Sequence, residues 1–396
     1  MTTTTLRAPE QSGAPASTPP STTTSTETRV SAAGVLDIAG NGAGFLRSPG
    51  LIPTSNDVQV PAQLVRQRGL RTGDFITGVC GRPRTLAQVE TVEGLPVETA
   101  RSRPRFADLT PLHPARRLRL DSPAGGLAGR VVDLVAPVGK GQRGLIVAPP
   151  KTGKTVLLQQ LAAAIADRHP EAHLMVVLLD ERPEEVTDMR RSVRGEVLAS
   201  TFDQPAKAHI ALAELAVERA KRLVERGVDV IILLDSLTRL CRAHNNAAAV
   251  SSKGGRTLSG GVDAAALLGP KRLFGAARNT EEAGSLTILA TALVDTGSRA
   301  DDYYFEELKS TGNMELRLDR TLADARVFPA VDITPSGTRR EELLLSAAEL
   351  GIVSGLRRAL QGRDGRSGYE SLLEKLRKTP DNAAFLRQVH GTVPAA

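Results

Sequence analysis

Directly after the apolar run Leu145-Ile146-Val147, and before a long helical stretch, comes Ala148-Pro149-Pro150-Lys151-Thr152-Gly153-Lys154-Thr155. No other segment restricts the fold so far. A Gly-Lys-Thr that opens a helix behind an apolar strand lets backbone N–H groups and the helix dipole cradle phosphates. Lys154 is placed to reach the β- and γ-phosphates and Thr155 to ligate Mg²⁺. Pro150, Lys151, Thr152, Gly153 and Val156 complete the candidate nucleotide cradle. Ala148 stands where the usual pattern has glycine, so the motif depends on its surroundings. The bland alternative is an ordinary strand–turn–helix with an exposed lysine.

The surroundings supply support. From Gly144 onward, near-continuous apolar strands alternate with amphipathic helices. Strands are expected at 174–179, 228–234, 286–293 and 327–333, with helices at about 154–168 and 206–226. That alternation means a parallel sheet covered on both faces, an α/β fold. Two of the strands end in acid: Val230 to Leu234 runs into Asp235, and Val176 to Leu179 into Asp180-Glu181. Acids after apolar strands lie at the binding crevice of an open α/β sheet. Asp235 is the candidate metal-side carboxylate, and Glu181 the candidate base that orients and deprotonates water. The plain alternatives are a helix cap for Asp235 and a surface ion pair with Arg182 for Glu181. The last fifty residues, 346–396, carry helical patterns around Leu350, Leu372 and Leu386.

The N-terminal part reads differently. Residues 1–30 are Thr, Ser, Pro and Ala, too poor in large apolar side chains to offset their ordering entropy, and are expected to be a disordered tail. Between residues 31 and 100, short strand-like runs are punctuated by Gly, Pro and Asn, which suggests a small barrel. Residues 101–140 place Arg101, Arg103, Arg105, Arg116, Arg117 and Arg119 among prolines and read as a basic connector. The chain of 396 residues carries a formal charge of +7, which favours a polyanionic partner. No apolar run approaches the roughly 18 residues of a membrane helix. The N-terminus has no signal-peptide pattern, and the two distant cysteines, Cys80 and Cys241, form no disulfide framework or zinc site. A soluble cytoplasmic protein is expected.

The phosphate-loop segment is followed in order by Leu-Leu-Asp180-Glu181-Arg182-Pro183-Glu184-Glu185-Val186-Thr187, Leu-Leu-Asp235-Ser236-Leu-Thr-Arg239-Leu, Gly260-Gly261-Val262-Asp263-Ala264 and Lys271-Arg272-Leu-Phe274-Gly-Ala-Ala-Arg278-Asn279. Asp295-Thr-Gly-Ser298, Gly312-Asn-Met-Glu315-Leu and Arg326-Val-Phe328-Pro come next. This series, spanning about Val35 to Leu345, resembles the bacterial transcription termination factor Rho family. The resemblance implies a RecA-like ATPase motor over 141–345 behind an OB/cold-shock-like barrel that forms the primary RNA site. It implies a homohexameric ring that binds ATP and Mg²⁺, moves along single-stranded RNA as a translocase or helicase, and terminates transcription by RNA polymerase. By the same resemblance Glu181 is the catalytic base. Arg339 matches an arginine finger supplied to the neighbouring subunit, Arg326 a second interface arginine, and Phe328 an aromatic that stacks on adenine. A loop at about 251–261 with Lys253 and Arg256, and a second at 295–299 ending in Arg299, would line the RNA channel. Arg299 stands where the family commonly has lysine.

Two departures matter. The Thr/Ser/Pro tail stands where the family usually has a helical bundle. The family's Gly-Phe-Gly-Phe-Leu-Arg strand reads Gly42-Ala43-Gly44-Phe45-Leu46-Arg47. Before residue 150 only Phe45, Phe75 and Phe106 are aromatic. Stacking is worth about 1–3 kcal/mol per base, so Ala43 should weaken the primary site. RNA binding is expected to lean on Phe45, Arg47, Arg66, Arg68, Arg82 and Arg84 and to be salt-sensitive. The rival readings are an RNA-binding protein with a purely regulatory nucleotide site, and a rotary-ATPase subunit or DNA recombinase on the same fold.

Overall fold

The computed structural model describes residues 30–251, 259–263, 265–361 and 365–390. The tail 1–29 and loop residues 252–258, with Lys253 and Arg256, lie outside the described residues. Val30 already opens the first strand.

Five strands, Val30–Ile38, Gly44–Arg47, Val58–Val60, Phe75–Arg82 and Thr85–Val92, form the N-terminal unit. Antiparallel pairing runs through the first four contacts, and Gln59 meets Thr85 in parallel, which closes the barrel. Strand alternation turns Leu36, Leu46, Val60, Ile76, Leu86 and Val92 inward, and all are buried in one cluster. A helix, Ala62–Arg68, adds Val65 to this core and stops at Gly69, whose φ of 62° suits glycine. Seven residues are too few to show helical periodicity, and the sequence gives no sign of this helix.

The larger unit is a seven-strand layer in the order Glu196–Thr201, His173–Glu181, Val230–Asp235, Ser285–Leu293, Arg143–Ala148, Met314–Leu318, Val331–Thr338. The first six are parallel and the last is antiparallel to its neighbour. Alternation splits each strand between two cores. Leu145, Val147, Val177 and Ile232 face the helices Ala206–Val224, Leu237–Ser251 and Arg299–Lys309. Ile146, Ala148, Val176 and Leu233 face Gly126–Val135, Lys154–Arg168 and the C-terminal helices Ala347–Gln361, Gly365–Arg377 and Asn382–Val389. Burial of each Leu, Ile or Val among them contributes about 1.5–3 kcal/mol.

Two sequence expectations need correction. The final strand runs from Val331 to Thr338, not 327–333; Phe328 and Pro329 precede it. The stretch 101–140 is not a free basic connector. Its helix Gly126–Val135 is a wall of the motor core, with Val131 and Val132 fully buried. Arg117 lies against Asp133 and Glu349, and Arg103 pairs with Asp74 of the barrel and Glu225 of the motor. Arginine-rich composition hid structural ion pairs.

The barrel is fastened to the helix Ala206–Val224. Gly73, at φ 89°, sits so near that an added Cβ would come within 2.4 Å of the Glu218 backbone. Arg219 pairs with Glu93, and Glu225 collects Arg71 at 3.2 Å and Arg222 at 2.9 Å. Burial raises the Glu225 pKa, and these guanidiniums oppose the rise.

Candidate nucleotide site and nucleic-acid surfaces

The phosphate loop leaves the sheet at Ala148 and enters the helix Lys154–Arg168 through Gly153 at φ 83°. Lys151 also takes a left-handed φ of 66°. The buried Thr152 hydroxyl donates to the Pro149 carbonyl at 2.8 Å and so ties the loop to itself. Its side chain therefore shapes the loop. Val156 is exposed on the first helical turn.

Two strand ends converge on Lys154, and a third strand supports one of them. Its Nζ donates to Glu181 Oε1 at 3.3 Å and to Asp235 Oδ1. Thr291, on the adjacent strand, donates to Asp235 at 2.9 Å and fixes that carboxylate. Thr155 Oγ1 lies 3.4 Å from Glu185 Oε2. Glu181 is only 3% exposed. Burial raises its pKa and the nearby Asp235 adds to the rise, while Lys154 and Arg239 oppose it.

Arg239 is a member of this cluster to which the sequence reading gave no role. Its Nη2 lies 3.3 Å from Glu181, and its Nη1 donates to Asp180 Oδ2 at 2.9 Å. Asp180 has φ 58°, and the strand register slips between Leu179 and Glu181. This irregularity lets two successive acids be gripped by one guanidinium, which strict alternation would forbid. The signal in the sequence was the Leu-Leu-Asp-Ser-Leu-Thr-Arg spacing that puts Arg239 on the first turn after Asp235.

Phe328 is exposed beside the loop; a Cβ on Gly153 would come within 3.3 Å of its ring. Arg326, at φ 62°, is exposed two residues earlier, on this same end of the sheet. The strand Val331–Thr338 then runs backwards and delivers Arg339 to the opposite end. Thr338 pairs with Met314, and Met314 with Gly144. Gly144 lies four residues before Ala148, roughly 13 Å along the strand at about 3.3 Å per residue. Arg339 is thus remote from its own Lys154. Beside it stand Arg143 and Arg278; burial and the like charges of Arg278 and Arg339 lower the Arg143 pKa. Arg143 donates to the Thr311 and Ala277 carbonyls. Among the described residues, no carboxylate forms an ion pair with any of the three arginines.

On the barrel, Phe45 is half-buried under the Arg47 guanidinium, 5.3 Å from its ring centroid. Arg47 departs from the expectation of a free RNA contact: Asp37 at 2.5 Å and Asp57 hold it. Arg84 donates to the Ser55 carbonyl, and Arg68 lies 3.6 Å from Glu98. Arg66 and Arg82 are exposed and make no ion pair among the described residues. The two expected channel loops do approach one another. Arg299 is exposed, and a Cβ on Gly260 would come within 3.0 Å of the Arg299–Ala300 backbone. Arg256 lies outside the described residues. No described helix is long and apolar enough to cross a membrane.

A closed five-strand barrel ahead of a sheet whose phosphate loop faces two strand-end acids defines a RecA-like ATPase with an OB-type RNA-binding domain. Residues 128–338 match the nucleotide-binding domain of the ATP synthase alpha/beta family, and residues 32–98 match the RNA-binding domain of the Rho termination factor. The chain is 73% identical to the transcription termination factor Rho of Streptomyces coelicolor, over 92% of this chain and 87% of that protein. It is 58% identical to the Rho of Streptomyces lividans over 91% of its own length, and spans about half of that longer relative, 52%. A solved ATPase from the type III secretion system of pathogenic bacteria shares the fold, with a TM-score of 0.57 and 23% identity over 65% of this chain and 72% of that one. The chain belongs to the transcription termination factor Rho family.

Proposed function

We propose that this chain is an RNA-stimulated ATPase that moves along nascent single-stranded RNA and dislodges RNA polymerase, working in the cytoplasm as a homohexameric ring. The observation that carries this reading is the meeting of Lys154, Glu181 and Asp235 at the strand ends behind the phosphate loop. In the proposed reaction Lys154 exchanges its two carboxylates for the phosphates of ATP. Glu181 is then left with Arg239 and takes the proton of the attacking water. A carboxylate of raised pKa is a better-matched base near neutral pH. The Thr155 hydroxyl and Asp235 carboxylate are hard oxygen donors that suit Mg²⁺, and Thr291 holds Asp235 in place. Bound Mg²⁺ would neutralise phosphate charge. Phe328 offers its exposed ring to the adenine.

Arg339 serves the neighbour's nucleotide, with Arg326 as a second interface arginine. RNA contacts the barrel at Phe45, Arg66 and Arg82 and the channel at Arg256 and Arg299. The deciding experiment is ATP turnover with and without pyrimidine-rich RNA. Turnover stimulated by RNA and lost in Glu181→Gln is expected. A rate indifferent to both would reduce the site to a nucleotide switch.

A further inference from the structure

Behind the Asp180–Glu181 pair lies a side chain that none of the chemistry above uses. His209, on the first turns of the helix Ala206–Val224, is 6% exposed. Its Nδ1 is 2.8 Å from the hydroxyl of Ser200, itself buried on the edge strand Glu196–Thr201. Its Nε2 points at Asp180 Oδ1 from 4.0 Å. The other oxygen of Asp180 takes Arg239, whose second nitrogen lies on Glu181. We infer that His209 is a positioning residue for the hydrolytic step: through Asp180 and Arg239 it fixes the orientation of Glu181.

Each link has a physical reason. Asp180 sits at a left-handed φ of 58°, a conformation that aspartate tolerates better than most residues but at a cost its surroundings offset. Arg239 alone would anchor one of its oxygens and leave the carboxyl group free to rotate. The imidazole restrains the second. A carboxylate facing Nε2 selects the tautomer with the proton on that nitrogen, and Ser200 then donates to Nδ1. At 4.0 Å the Nε2 contact is a charge–dipole attraction, longer than a hydrogen bond. The charged groups facing the ring are Asp180, Asp203 and Arg239; burial lowers the His209 pKa, so the neutral ring is the working form. Ser200 is buried within the sheet's edge strand, 2% exposed and out of reach of any substrate, so the Ser–His–Asp order marks no second hydrolytic centre.

This inference rests on Glu181 being the base, and the test separates the two. Wild type, Glu181→Gln, His209→Leu and His209→Gln are compared in full-length rings with RNA, following kcat, KM for ATP and the pH dependence of kcat. Misplacing a catalytic group by an ångström costs up to about 10²-fold. His209→Leu is therefore expected to lose roughly 10- to 100-fold in kcat with KM for ATP within about twofold of wild type. Its acidic limb should move to higher pH, because Arg239 no longer holds Glu181 ionised. His209→Gln, which keeps an N–H toward Asp180, should restore most of the rate and the limb. Ser200→Ala, which frees the ring to change tautomer, reads the same path should His209→Leu fail to fold, with a smaller loss of the same kind. An unmoved acidic limb, or kcat and KM spoiled together in both His209 variants, would overturn the positioning role while Glu181→Gln stays inactive. Turnover surviving in Glu181→Gln would instead overturn the assignment of the base.

Discussion

The two ends of the motor sheet carry opposite chemistry. At the carboxyl end, a lysine and an arginine are engaged with three acids, Asp180, Glu181 and Asp235, and every charge has a partner. At the amino end, Arg143, Arg278 and Arg339 stand together and repel one another; Arg143 donates to carbonyls and Arg278 lies 4.9 Å from the Phe106 ring centroid. Acids and phosphate loop at one end and a cationic patch without carboxylates at the other suit the head-to-tail contact proposed above. Such contacts close into rings when the rotation permits. The strand Val331–Thr338 ties the two ends together, since Phe328 precedes it beside one phosphate loop and Arg339 follows it at the far end.

The sharpest way to break that comparison is to remove one end at a time. Arg339→Ala should cost about 10³-fold or more in turnover, the range for an arginine finger. Lys154→Ala should abolish turnover while RNA still binds the barrel on filters at low salt. Mixed rings of the two variants should regain activity, because some interfaces then pair an intact phosphate loop with an intact finger. Rings shown to contain both variants yet inactive would mean that Arg339 does not act across the contact.

Glu181→Gln should bind ATP and slow hydrolysis by about 10²-fold or more. Wild-type turnover should also fail earlier on acidification than an ordinary glutamate would dictate. Burial raises the Glu181 pKa, so the ionised form is lost at higher pH. An acidic limb at or below the usual glutamate range would contradict a buried base.

The barrel repeats the contrast between engaged and free guanidiniums on a smaller scale. Phe45→Ala should weaken RNA binding by about 1–3 kcal/mol. Arg82→Ala should lower the slope of log affinity against log salt by about one. Arg47→Ala should leave that slope nearly unchanged and instead lower the melting temperature, since Asp37 and Asp57 lose their partner. A full unit of slope lost with Arg47 would mean that RNA displaces those carboxylates.

The smallest effect concerns Asp133, whose carboxyl burial raises to about 6 although Arg117 and two backbone N–H groups oppose the shift. The folded state then binds a proton that the unfolded state has released. Stability should decline as pH rises from about 4 to 6, with the proton fully lost above. Asp133→Asn should flatten that part of the curve in thermal melts. An unaltered curve would place the proton elsewhere.

Much of this was legible in the chain. Apolar strands ending in acid located Glu181 and Asp235, and the helix Lys154–Arg168 falls where its pattern placed it. What escaped depended on contacts between distant residues. The arginines of 101–140 look alike in sequence, yet Arg103 and Arg117 are half-buried against carboxylates and Arg105 is exposed. Arg47 follows Phe45 at the spacing of a nucleic-acid strand, but Asp37 and Asp57 reach it through pairings that only the barrel's register creates. The grip of Arg239 on two neighbouring acids depends on a register slip that no hydrophobic pattern encodes.

The helix Ala206–Val224 has one further consequence. Its 19 residues extend about 28 Å at 1.5 Å per residue. Arg219 near one end is locked into the barrel contact through Glu93, while His209 near the other lies 4.0 Å from Asp180. An α-helix resists stretching and compression far better than a loop does. In the proposed motor, tension on an RNA held by the barrel would load a stiff strut whose far end, at His209, stands one side chain away from the acids around the phosphate loop.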